Sequence, residues 1–160
     1  MGTIMPRCYQ LVGVPGAGKS TWIKDQIWAL GMFVVSTDNL VEAYASQQGK
    51  TYNEVFDEYM PTAVKLMADQ VVFCRNNNLD LIWDQTSTTV ASRAKKFRML
   101  PNYEHIAVVF DTHRDVEELD RRLRSRPNKV IPSDVLMQMI NNFELPTLDE
   151  GFAEIWHAQN

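Results

Sequence analysis

Four kinds of side chain stand out in this chain because their chemistries are complementary. Lys19 and Ser20 follow three glycines in "GVPGAGKST". Asp38 ends the apolar run of "FVVSTDNL", and Asp84 ends that of "LDLIWDQTS". Farther along, "LDRRLRSRPNKVIP" holds Arg121, Arg122, Arg124, Arg126 and Lys129 within nine residues. An ammonium group neutralises phosphate charge, a hydroxyl can ligate Mg²⁺, a carboxylate can accept the proton of an attacking alcohol, and a planar guanidinium bridges phosphoryl oxygens. These are the parts from which a phosphoryl transfer can be assembled.

The glycine stretch is the most specific of them. Gly13, Val14, Pro15, Gly16, Ala17, Gly18, Lys19 and Ser20, with Thr21 following, satisfy G-x-x-x-x-G-K-[ST] in full, after an apolar run and before a helical pattern. Glycine lets such a loop turn its N–H groups onto phosphate oxygens, Lys19 then reaches the β- and γ-phosphates, and the Ser20 hydroxyl faces Mg²⁺. From residue frequencies the pattern arises by chance in roughly one chain of this length in two hundred. An ordinary turn is therefore the weaker account, and ATP with Mg²⁺ is the expected ligand.

The other candidates carry alternatives. Asp38 is either a general base or, with Ser36 and Thr37, a cap for the next helix. Asp84 either holds Mg²⁺ through water or orients the acceptor. The basic run reads as a lid over ATP, and helical spacing puts Arg122 and Arg126 on one face as its working members, the alternative being a solvated helix end. A second basic set, Arg93, Lys95, Lys96 and Arg98, follows Asp84; Arg93 is the acceptor-side candidate, against a solvated helix face.

The elements that must position these groups alternate. Apolar, β-rich runs at Cys8 to Val12, Met32 to Val35, Leu79 to Trp83 and Ile106 to Phe110 are separated by helical stretches, the pattern of an α/β domain on a parallel sheet. Helices are expected from Lys19 to about Leu30 and from near Asp38 to Gly49. Thr51 and Glu54 have capping-box spacing and open a helix that Pro61 should divide before it resumes to about Asn77. Further helices are expected over Val90 to Leu100, Asp115 to Arg126, and Pro132 to Phe143, with a turn at Glu150 and Gly151 before a short edge strand.

Bulk properties bound the rest. The 160 residues, 45% hydrophobic, suit one domain over the whole chain, residues 1–160. A net charge of −4 speaks against indiscriminate nucleic-acid binding, so any nucleic acid must be held by a local patch. Cys8 and Cys74 are far apart and expected buried, and His105, His113 and His157 lack ligand spacing. No run approaches a membrane span and no export signal is evident, so a cytoplasmic protein without a membrane partner is expected.

Taken together, "GVPGAGKST", "STD", "WDQT…SR" and "RSRPNKVIPSDVLMQM" resemble the kinase domain of bacteriophage polynucleotide kinase and its small P-loop relatives over about residues 8 to 143. The resemblance implies a P-loop kinase fold with a parallel sheet and a basic lid. It also implies Lys19 and Ser20 on ATP and Mg²⁺, Asp38 as base, Asp84 on the acceptor side, and Arg122 and Arg126 from the lid. That pattern has an arginine three residues beyond the base; here Val41 stands there, which weakens 5′-hydroxyl end phosphorylation. Single-domain phage kinases that phosphorylate 5-hydroxymethyluracil in DNA look similar without needing that grip. The expectation is a DNA acceptor, single-stranded or with a flipped-out base, in host cytoplasm if phage-encoded. A polynucleotide 5′ end, a nucleoside or sugar, and an NTPase switch follow as alternatives.

Overall fold

A computed structural model describes residues 4–26, 28, 31–111, 115–126 and 129–158 of the chain. His113 lies outside the described residues. The first helix is shorter than expected: it opens at Lys19 but ends at Asp25 rather than near Leu30, because the backbone of Gln26 turns extended and caps it.

Five strands form: β1 (Arg7–Val12), β2 (Phe33–Val35), β3 (Leu81–Trp83), β4 (Glu104–Phe110) and β5 (Glu154–Ala158). They lie in the order β2-β3-β1-β4-β5, and every pairing is parallel. Period-two alternation explains why β1 takes the centre. Tyr9 and Leu11 face one cluster with Ile82, Ile106, Val108 and Phe110, while Cys8, Leu81 and Trp83 face another on the opposite side. A strand buried on both faces gains most from a central position, at ~1.5–3 kcal/mol for each large apolar side chain removed from water. Both cysteines are free and buried.

Parallel strands have one important geometric consequence. The segments leaving β1, β2 and β3 emerge at the same carboxyl edge of the sheet, where open α/β sheets bind ligands. Backbone and side-chain bonds lock the three together. Gly13 N–H donates to the Thr86 carbonyl at 2.9 Å, Asp84 N–H to the Val35 carbonyl at 2.8 Å, and Gln85 Nε2 to Thr37 Oγ1 at 3.3 Å.

The helices are α1 (Lys19–Asp25), α2 (Thr37–Gln48), α3 (Tyr52–Asn76), α4 (Val90–Met99), α5 (Val116–Arg124) and α6 (Ser133–Asn141). The capping box at Thr51 and Glu54 is present with both of its hydrogen bonds. Contrary to the expected division, Pro61 lies inside α3, which runs on as one 25-residue helix. Proline removes one ladder donor, but Tyr52, Val55, Ala63, Met67, Val71 and Cys74 are buried along the same helix on both sides of it. Burial of that stripe outweighs the single lost bond.

Candidate active site

The loop between β1 and α1 needs glycine for physical reasons. Gly16 and Gly18 have φ of 83° and 102°, in the left-handed region that side chains with a Cβ avoid. A Cβ at Gly16 would also stand 3.2 Å from Cγ of Leu123, so the loop sits directly on α5. Lys19 folds its ammonium back onto the Gly13 and Val14 carbonyls, 3.2 Å from the latter. Burial lowers its pKa to about 8, although Asp84 and Asp38 pull in the other direction.

Helix α2 is capped by Ser36, whose hydroxyl accepts from Asn39 N–H at 3.2 Å. Asp38 therefore takes no part in the cap, and its carboxylate turns elsewhere. Oδ1 accepts from the Tyr52 hydroxyl at 2.7 Å and Oδ2 from Lys129 Nζ at 2.8 Å. Burial pushes the Asp38 pKa up, but Lys129, by hydrogen bond and by charge, together with Tyr52 and Lys19, leaves it below the ordinary carboxylate range. The Lys129 ammonium also lies 4.4 Å from the centre of the Tyr52 ring. Nothing in the sequence marked Tyr52, which only follows the Thr51 cap, and Lys129 was one basic residue among five.

Asp84 lines the same cleft as Ser20. Burial raises its pKa, Lys19 opposes this, and the neighbouring carboxylates of Asp38 and Glu42 reinforce it. A half-buried carboxyl with no ion pair among the described residues and an exposed hydroxyl are hard oxygen donors that suit Mg²⁺, which takes only one or two protein oxygens beside phosphate and water. Among the described residues no three His, Cys, Asp or Glu side chains gather as a closed metal cage.

The basic run separates into distinct roles. Arg121 and Arg124 pair outward with Glu118 and Asp120. Arg122 donates to Glu118 at 2.9 Å and to the Gly16 carbonyl at 3.1 Å, tying α5 to the loop. Arg126 lines the cleft, and among the described residues its guanidinium has no partner. The other basic set departs from expectation. Arg93 is fully buried, donates to both Glu150 oxygens at 2.8 and 3.2 Å and to the Ser87 carbonyl at 2.9 Å, and does not line the cleft. It is a structural ion pair rather than an acceptor contact, because an unpaired buried guanidinium would be costly. Lys96 is buried too, with its ammonium 5.2 Å from the Trp83 ring centre. Val41, where the arginine of the resembling family would stand, is packed between α2 and α3.

Lys19, Asp38, Asp84, Arg122, Arg126 and Lys129 thus border one cleft of about 1720 Å³. Its far end runs between α2 and α3, past Glu42, Lys50, Phe56, Asp57 and Met60. A family profile described as "AAA domain" matches residues 9–146. Solved structures share the fold. One protein from Chloroflexus aurantiacus is 16% identical with a TM-score of 0.67, covering 98% of this chain and 86% of that one. A chain of the Pnkp1/Rnl/Hen1 RNA repair complex is 22% identical with a TM-score of 0.65, covering 88% and 45%. A sugar kinase from Janibacter sp. HTCC2649 is 16% identical with a TM-score of 0.61, covering 95% and 85%. At these identities the likeness is one of fold.

Proposed function

On the premise that the chain belongs to the AAA domain family, we propose that it is an ATP-dependent kinase that moves the γ-phosphate to an alcohol. The observation that carries this reading is convergence. A phosphate loop, an ionised carboxylate outside any cap, a second carboxylate and a lid arginine whose guanidinium has no partner among the described residues border one cleft, although they come from four separate segments. A nucleotide switch would need the loop and a metal carboxylate, but not Asp38.

The derived steps are these. The loop N–H groups and Lys19 hold the triphosphate, with Lys19 leaving its carbonyls for the β- and γ-phosphates. Ser20 and Asp84 would hold Mg²⁺, which supplies charge neutralisation across the phosphates when bound. The acceptor hydroxyl approaches Asp38, its oxygen bonds to the γ-phosphorus as the bond to the β–γ bridging oxygen breaks, and its proton passes to Asp38. Arg126 neutralises charge on the phosphoryl group in flight.

For the acceptor, the motifs "STD" and "KVIPSDVL" and the valine at position 41 support a hydroxyl carried on DNA, with 5-hydroxymethyluracil ahead of a 5′ end. The base would be presented in a single strand or flipped out, since a stacked base cannot reach a cleft. A small neutral polyol is the second reading, favoured by Glu42 and Asp57 on the acceptor wall, which repel a phosphate-rich ligand. Incubation with labelled ATP and single-stranded hydroxymethyluracil DNA, 5′-hydroxyl DNA, nucleosides or sugars separates them. Label at internal positions that survives 5′ dephosphorylation supports the base reading; label confined to a nucleoside or sugar overturns the DNA reading.

A further inference from the structure

The lid meets the acceptor half of the cleft at a clasp made by the first turn of α3. The Asn53 side chain pairs with the lid backbone in both directions, donating to the Val130 carbonyl at 2.9 Å and accepting from Val130 N–H at 2.7 Å. One residue earlier on each side, Tyr52 and Lys129 take the two oxygens of Asp38. Lys129 is only 12% exposed, so its ammonium is fixed rather than solvated. We propose that Lys129 is a positioning residue for Asp38: Asn53 holds the lid in register so that Lys129 and Tyr52 aim the carboxylate.

Each carboxylate oxygen has two lone pairs. With one on Oδ1 taken by Tyr52 and one on Oδ2 by Lys129, those that remain are free for the acceptor hydroxyl. The ammonium need not leave for the proton to be accepted. Lid closure over ATP and orientation of the base thereby become one event, since the segment that carries Arg126 also carries Lys129. The groups that lower the pKa of Asp38 against its burial are Lys129 from the lid, Tyr52 from α3 and Lys19 from α1; Asp84 beyond β3, whose own pKa Asp38 raises, and Glu42 on α2 line the same cleft. Without Lys129, burial acts against Lys19 and Tyr52 alone, and the pKa of Asp38 rises.

This inference rests on the kinase reading, and two measurements keep their failures apart. First, trypsin cleavage at Lys129–Val130 is followed in the parent, in Asn53→Ala and in Asp38→Asn. Faster cleavage in both variants, at unchanged overall melting temperature, is expected; cleavage at the parent rate overturns the clasp. Second, rate–pH profiles at saturating ATP are recorded for the parent, Lys129→Ala and Lys129→Arg. Lys129→Ala should lower kcat by ~10-fold or more with little change in KM for ATP, and move the acid limb to higher pH, while Lys129→Arg restores most of both. A parent that transfers phosphate while Lys129→Ala matches it in kcat and acid limb overturns the inference alone. A parent that transfers to no alcohol overturns the kinase reading and this inference with it.

Discussion

Lys19 shows how a single residue ties the site to pH. Its pKa of about 8 follows mainly from burial, and a bound triphosphate would replace carbonyl partners with negative charge, raising that value. Binding therefore takes up a proton once the pH exceeds about 8. ATP affinity should be highest below that pH and fall by up to about tenfold per unit above it; calorimetry in buffers of different ionisation enthalpy reads the uptake directly. Flat affinity between pH 7 and 10 would show that burial does not lower the Lys19 pKa before ATP binds. Arg93 makes the contrasting case. Truncating it to Ala leaves Glu150, itself 10% exposed, without its cation. The expected cost is roughly 3–5 kcal/mol of stability, read as a lowered melting temperature, with acceptor KM little changed where the protein remains folded. The glycines, Lys19 and both aspartates could be picked out from residue type and spacing. Arg93 could not, because its partner lies 57 residues away and spacing along one helix says nothing of that.

At the scale of elements, the phosphate loop and α5 act together. Gly16 packs under Leu123, and Arg122 reaches the Gly16 carbonyl, so the lid helix is seated on the loop that it serves. Gly16→Ala should strain a positive φ and crowd Leu123, at a cost of order 1–3 kcal/mol, and should weaken ATP binding as well. A thermal melt beside an ATP titration checks both effects. Arg126→Ala should instead leave the melt alone and lower kcat by ~10² or more, with a smaller effect on ATP affinity, because a cleft-lining guanidinium with no partner among the described residues acts on charge in flight. Arg122→Ala should affect both, since that side chain also holds the loop. Capping residues and apolar spacing located α2, α3 and the lid helix to within a residue or two. Pro61 misled because a local rule was overridden by the buried stripe on either side of it, and the Asn53–Val130 pairing was invisible since it joins residues 77 apart.

For the molecule as a whole, the parallel sheet turns scattered residues into a site. Three consecutive crossovers deliver the loops after β1, β2 and β3 to one edge, and the lid closes from beyond β4. The alternation of apolar runs was enough to foresee that edge, and the turn at Glu150 and Gly151 to expect a short edge strand, which the structure pairs with β4. It could not specify the acceptor, which in the proposed reading is chosen by side chains from α2 and α3 that line the cleft with Asp38. The central claim is that this cleft transfers phosphate to an alcohol with Asp38 as base. It is tested most directly by measuring ADP release and labelled product in parallel for the parent and Asp38→Asn, with and without acceptor. Equal amounts of ADP and phosphorylated acceptor are expected from the parent, little ADP without acceptor, and a fall of ~10² or more in Asp38→Asn at nearly unchanged ATP affinity. ADP release that ignores the acceptor, or an Asp38→Asn variant that transfers at the parent rate, would contradict it.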